Sequence, residues 1–335
     1  MGPRRCGRAA CYIPRVKSAA IAAGGVLLAA ACTVVDAPPQ VPHLAVRAPD
    51  LAHPLSESYP VSSAPEDPVK KAVFAQINAD RAAHGLTPVA WDEAASRVAD
   101  VFTAAQVHEG TRGHFLLDGL PPYARTGLAG VFGMGAENVV AWRTTGSAFH
   151  EPSLDLALEG QASMMAEKPP EDGHRRTILD PVVTHVGVGW AQGGGEFRMA
   201  EEFQTRCLDV LTISRAASDP VTLLFRGRTV AGGQLRFVTL ALEPSPRPLT
   251  KAQADARRRY TYPEPRLAFV PEGLKSYQVV GATTEDVLHV GGAGEFSFRF
   301  TPVREGLWTI VFHVSEGKDR AKPGGLAVLW VEKAT

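Results

Sequence analysis

Two histidines and a glutamate stand in settings from which chemistry can be read. His174 lies in Gly173-His174-Arg175-Arg176-Thr177-Ile178-Leu179-Asp180-Pro181, an imidazole beside two guanidiniums at a turn that Ile178 and Leu179 tie to a core. His114 lies upstream in Gly113-His114-Phe115-Leu116-Leu117-Asp118-Gly119, and Gly135-Ala136-Glu137-Asn138-Val139 stands between the two. Two imidazoles and one or two carboxylates, brought together, suit Zn2+ or a similar divalent ion. Each neutral imidazole then offers one ring nitrogen while a partner orients the other. A water on an open coordination position would have a lowered pKa, which makes hydrolysis feasible. Glu137 has two other readings: it orients a histidine or acts as a base, or it caps a turn and fixes loop backbone. The plainer reading of His114 and His174 is two unrelated core histidines. Arg175 and Arg176 are expected to anchor the turn through carboxylates or carbonyls, with an anionic ligand as the second reading.

The elements that must position these residues follow from periodicity. Glu66 to His84 reads as a helix, with Val69, Val73 and Ile77 at four-residue spacing and Gly85 as its stop. Thr87 to Trp91 reads as a short extended link. Asp92 is an N-cap for a second helix to about Glu109, with Ala95, Val98, Ala99, Phe102 and Ala105 as its apolar stripe. His114 to Gly135 reads as loop, with Pro121-Pro122 inside it. A third helix is expected to be capped by Ser153 and ended by Pro169-Pro170. Val186 to Ala191 and Phe197 to Phe203 flank Gly193-Gly194-Gly195, which signals a β-hairpin.

After about Cys207 the texture changes to short β-rich runs: Asp209 to Ser214, Val221 to Phe225, Gln234 to Leu242, Gln278 to Val280, Glu295 to Phe300, Leu307 to Val314 and Leu326 to Val331. Phe296, Phe298 and Phe300 alternate, as do Trp308, Ile310, Phe312 and Val314, so one face of each strand points inward. These runs predict a β-sandwich over 207–335, with Thr250 to Arg259 as a polar helical insertion. Trp308 and Trp330 are expected in its core and His313 on its exposed face. No convergent catalytic set is visible there, so a spacer or binding role is the default.

The chain has 335 residues, enough for two domains of ordinary size, and its 35 basic and 35 acidic side chains balance. A neutral chain is a poor nucleic-acid binder, since phosphate contact needs a cationic face. Residues 1–31 read as a signal peptide, with Arg4, Arg5, Arg8, Arg15 and Lys17 before an apolar run too short to span a membrane. That run ends in Leu28-Ala29-Ala30-Ala31-Cys32, which resembles the lipobox of bacterial lipoproteins, cleaved before the cysteine and lipidated on it. Cys32 is therefore the expected anchor to a membrane, and 32–65, rich in proline, the tether. Cys207 is then the one thiol of the mature body, expected as a buried small hydrophobe with no disulfide framework around it. There is no Gly-x-Ser-x-Gly elbow, no His-Glu-x-x-His and no Cys-x-x-Cys.

Residues 66–206 resemble the CAP superfamily (the SCP-like, cysteine-rich secretory, antigen 5 and pathogenesis-related group). The marks occur in the family's order: Asn78 to Leu86 as its first-helix ending, Leu86 to Asp92 as the following link, then His114 with Asp118-Gly119 and Arg125, then Glu137-Asn138-Val139. Gly173-His174-Arg175 with Ile178-Leu179 and Gly187-Val188-Gly189 complete the set. The resemblance implies an α-β-α sandwich with a cleft that, in some members, holds two histidines and two glutamates able to bind a divalent metal. By matching motif these are His114, Glu137 and His174, with Glu167 as the second glutamate, although Met stands where that motif usually has Trp. Asn138 and Arg175 are expected to support the cleft. The fold class is thus α+β, a CAP domain followed by an immunoglobulin-like sandwich. The expected function is an extracytoplasmic lipoprotein of the bacterial cell envelope, or failing the anchor a secreted protein, that binds lipid, peptidoglycan or a protein in a His/Glu cleft, with a divalent metal such as Zn2+ as an optional cofactor there. The alternatives are a metal-assisted hydrolase of peptide, peptidoglycan or another envelope substrate, and a structural adhesin acting through the sandwich.

Overall fold

The computed structural model describes residues 44–47, 65–146, 149–217, 219–274, 278–317 and 320–333. The expected signal peptide, Cys32 and nearly all of the tether lie outside these residues. One piece of the tether does not: Leu44–Arg47 is a strand, β1. Its Leu44 and Val46 are buried in the core of the C-terminal half. Its side chains alternate between buried and exposed, over a length too short to stand out among prolines.

The first half follows in order as α1 (Pro68–Ala83), β2 (Ala90–Trp91), α2 (Glu93–Glu109), α3 (Pro122–Leu128), β3 (Met134–Arg143), α4 (Ser153–Met165), α5 (Gly173–Ile178), β4 (His185–Gly193) and β5 (Glu196–Thr205). Asp67 caps α1 by accepting from the amides of Val69 and Lys70, and Asp92 caps α2 by accepting from Ala95. Val69, Val73 and Ile77 are buried, as the four-residue spacing requires. The strands form a sheet of order β2-β4-β5-β3, so β3 is an edge strand. Val140, Val186, Val188, Phe197, Met199 and Phe203 pack with the apolar faces of α1 and α4 in one core cluster. Val139 and Ala200 pack with Ala99 and Phe102 of α2 in another. Since neighbouring strand residues point to opposite faces, α1 and α4 cover one face of the sheet and α2 the other.

Three expectations for this half are corrected. The segment from His114 to Gly135 is not all loop: Pro122 opens α3, because a proline at the first helical position lacks only a donor that would be unpaired anyway. Ser153 begins α4 but does not cap it; its hydroxyl donates to Gln192 Oε1 at 2.8 Å instead. His174 stands on a short helix, α5, rather than in a turn.

The second half comprises β6 (Leu208–Ala216), β7 (Asp219–Thr229), β8 (Gly233–Glu243), α6 (Lys251–Ala256), β9 (Leu267–Pro271), β10 (Thr283–Val290), β11 (Glu295–Phe300), β12 (Gly306–Glu316) and β13 (Lys322–Lys333). The ladder runs without a break in the order β1-β13-β12-β8-β9-β10-β11-β7-β6. It differs from the two separate antiparallel sheets of an immunoglobulin-like sandwich, and its β9 and β10 pair in parallel. Phe225, Phe296, Phe298, Phe300, Trp308, Ile310 and Phe312 fill the space between its two halves. The guanidinium of Arg215 on β6 donates to Val46 O at 2.9 Å, joining the two ends of the ladder. The expected strand at Gln278 to Val280 is absent, and Val280 is 94% exposed. Its place is taken by β9 and β10. Thr250 caps α6 with a full capping box, in line with the helical insertion.

Trp308 is buried in the core of the second half, whereas Trp330 packs outside it with Tyr260, Tyr262 and Leu120. His313 is not exposed. It stacks on Phe237 with centroids 4.2 Å apart and meets Thr239 Oγ1 at 2.9 Å, and burial pushes its imidazole down to about 4. Cys207 is buried, and burial raises its thiol. No linker separates the halves, since β5 ends at Thr205 and β6 begins at Leu208. Among the described residues no helix is long and apolar enough to cross a membrane.

Candidate functional site

The site is built around the edge strand β3. Glu137 is buried on the face that carries α2, opposite Glu202 in the register. One of its carboxylate oxygens meets His114 Nδ1 at 2.8 Å, and the other accepts from Arg125 Nη2 at 2.5 Å. Arg125 comes from α3 and lies over the ring of Phe102 on α2, with its Cζ 3.7 Å from the centroid. Burial alone would raise Glu137, but the charge of Arg125 and the His114 hydrogen bond outweigh it and hold the carboxyl below its usual range. Glu202 goes the other way: burial, then the neighbouring Glu137 charge, push it well up. Two adjacent carboxyls cannot both ionise in a buried place, so Glu202 holds the proton and donates to Glu137.

The second pair lies across the strand. His174 Nδ1 meets Glu167 Oε1 at 2.5 Å, and the His174 amide donates to Glu167 Oε2 at 2.9 Å. Glu167 follows the last turn of α4, so a seven-residue loop is closed on itself by one carboxylate. Asn138 Nδ2 donates to His174 O at 3.2 Å and to Glu201 Oε2 at 3.1 Å, tying α5 to the sheet. Arg81, buried in α1, donates from Nη1 to Ile178 O at 2.7 Å and Asp180 O at 2.9 Å, which fixes the other end of α5.

Glu137 and Asn138 are neighbours on a strand, so their side chains leave it on opposite faces. The His114 pair is held on one face and the backbone of His174 on the other. Both rings have one feature in common: each turns Nδ1 to a carboxylate, and in a neutral imidazole a proton on Nδ1 leaves Nε2 with its lone pair. Among the described residues no group of three or more His, Cys, Asp and Glu side chains gathers closely enough to hold a metal. Glu137 and Glu167 stand behind the two histidines as orienting groups.

Arg175 joins the second pair through its amide, which donates to Glu167 Oε2 at 3.4 Å, while its side chain turns to α1. Its guanidinium donates to His84 Nε2 at 3.1 Å, and His84 in turn donates from Nδ1 to Asp80 O at 2.8 Å. Arg176 pairs with Asp172 at 3.2 Å on the surface. Four residues beside the site were not among the sequence candidates: Glu201, Glu202, Tyr260 and Tyr262. The signal for the first two was present, because adjacent carboxylates in the apolar strand Phe197 to Phe203 cannot both face water. Arg125 was legible only as a spacing mark.

Residues 74–203 match the family model CAP, the cysteine-rich secretory protein family. Similar solved structures include an outer surface protein from Borrelia burgdorferi, 14% identical over 42% of this chain and 94% of that one, with a TM-score of 0.34. An extracellular protein containing a SCP domain from Bacillus anthracis is 21% identical over 42% of this chain and 45% of that one, with a TM-score of 0.32. Venom allergen-like protein 4 from Schistosoma mansoni is 10% identical over 40% of this chain and 86% of that one, with a TM-score of 0.30. No curated protein matches the chain.

Proposed function

Residues 74–203 form a CAP domain, and from that premise we propose that the protein works outside the cytoplasm, anchored to a membrane through Cys32, as a binding protein for lipid or cell-wall material. The ligand sits at the edge of β3, against a divalent ion such as Zn2+ carried by His114 and His174. One observation supports this reading above the others: both histidines hand Nδ1 to a carboxylate, at 2.8 Å from Glu137 and 2.5 Å from Glu167. Orientation of this kind is what metal-binding imidazoles have behind them. When bound, the ion supplies a Lewis-acid contact for an oxygen of the ligand. The residues themselves orient the two rings, keep Nε2 free and hold α5 against the sheet.

Calorimetric titration of the purified soluble part with Zn2+ tests the reading. One ion per chain is expected for the parent, and His114→Ala and His174→Ala are each expected to weaken binding by about 10-fold or more. If both variants bind as the parent does, the site is elsewhere. Mass spectrometry of the mature N-terminus checks the anchor, which requires a diacylated or triacylated Cys32; an unmodified N-terminus at another residue rejects it.

A further inference from the structure

The connection between β8 and β9, residues 244–266, carries only the six-residue helix α6 and is long for a compact domain. It does not loop out over its own sandwich. Tyr123 of α3 donates to Glu243 Oε2 at 2.5 Å where the connection begins. The Leu249 amide then donates to Leu117 O at 2.8 Å, and the Arg112 amide donates to Asp255 Oδ1 at 2.8 Å. Arg257 lies over Phe115, 5.4 Å from the ring centroid. The connection therefore follows the His114 loop along its length. It ends on β3, where the Glu137 amide donates to the Tyr260 hydroxyl at 2.8 Å. The Gly135 amide donates to the Tyr262 hydroxyl at 3.1 Å, and that hydroxyl donates to Gly135 O at 2.7 Å. Tyrosine hydroxyls thus pair the outer edge of β3, which would otherwise present free amides. Tyr260 also stands edge-on to the His114 ring, with centroids 5.2 Å apart.

We infer that Tyr260 is a positioning residue for the His114–Glu137 pair, delivered to the site by the C-terminal half. Its hydroxyl fixes the backbone that carries Glu137, and its ring fixes the plane of the imidazole whose Nδ1 that carboxylate holds. The C-terminal half is then a wall of the site rather than a spacer. Tyr262 bonds the strand two residues away, at Gly135, and its ring packs on Tyr123 with centroids 4.9 Å apart, so it supplies the internal control. The inference rests on the histidine site proposed above.

The test uses Tyr260→Phe and Tyr262→Phe, each of which deletes one hydroxyl and keeps the ring. The first readout is the exchange rate of the His114 Nδ1 proton with water, followed by NMR in the metal-free protein. Tyr260→Phe is expected to speed exchange about 10-fold, and Tyr262→Phe to leave it within about twofold. The second is Zn2+ affinity, expected to fall about 10-fold in Tyr260→Phe alone. Equal exchange rates in the parent and Tyr260→Phe, or equal effects of the two variants, would overturn the inference. So would an Nδ1 proton that already exchanges too fast to observe in the parent. A parent that binds no Zn2+ sinks the metal reading alone, because the exchange measurement needs no metal.

Discussion

Gly187→Ala is expected to destabilise the protein by about 3 kcal/mol or more. A Cβ on Gly187 would lie 2.2 Å from Ser96 N, 2.5 Å from Ala95 C and 2.7 Å from Asp92 O. All three are backbone atoms of α2 or its cap, so no side chain can swing aside. The helix would have to lift off β4, and the bond from Ser96 Oγ to Val188 O at 2.7 Å would go with it. Gly189 meets α2 in the same way, with Ala99 C at 2.3 Å. The effect reaches the site, because the Phe102 ring under Arg125 rides on α2. Gly193→Ala is the control: its Cβ would touch only Val107 Cγ1 at 3.4 Å, an ordinary contact, and it should cost less than about 1 kcal/mol. Urea unfolding measures both. A Gly187→Ala midpoint equal to that of the parent would mean that α2 does not pack on β4 at this distance.

Glu201→Gln is expected to remove a pH dependence worth on the order of 4 kcal/mol. Burial pushes Glu201 up to about 8; the Asp80 charge adds to this and the Asn138 hydrogen bond opposes it. Unfolded, the carboxyl titrates near its ordinary value of about 4.3. Between the two values the folded chain holds a proton that the unfolded chain releases. Stability therefore falls as pH rises through that window. Glutamine copies the protonated acid in shape, can still accept from Asn138, and does not titrate. His185 and His313, both pushed down to about 4 by burial, act in the opposite sense, losing stability as pH falls from about 6.5. They are common to both chains and cancel in the difference. Stability curves from about pH 4.5 to about pH 8.5 should diverge, the parent falling relative to the variant. Parallel curves would show that Glu201 is ionised throughout.

Much of this was legible where one face of an element meets one core. The Asp92 cap and the α2 stripe, the hairpin around Gly194 and the alternation of Phe296, Phe298 and Phe300 all appear in the structure. The losses have a common cause. β3 is covered on both faces and carries Glu137 and Asn138 in its middle, so neither alternation nor an apolar run marks it. β9 is short and flanked by prolines. Val280 belonged to a β-rich triplet with nothing to pack on. The pairing of His114 with Glu137, and the backbone tie between Asn138 and His174, follow the motifs that suggested a shared site. That Glu137 and Glu167 stand behind the rings, on Nδ1, needed coordinates. Tyr260 reaches Glu137 from a distant part of the chain, and no local pattern points to such a contact.

The central claim is that His114 and His174 offer Nε2 to one ion across the edge of β3. Crystals of the zinc-loaded protein measured at the zinc absorption edge test it most directly. The account predicts one anomalous peak per chain, about 2.0 Å from Nε2 of both histidines, with Nδ1 of each still on its carboxylate. A peak on one ring alone, separate peaks on the two rings, or no peak at saturating zinc would contradict it.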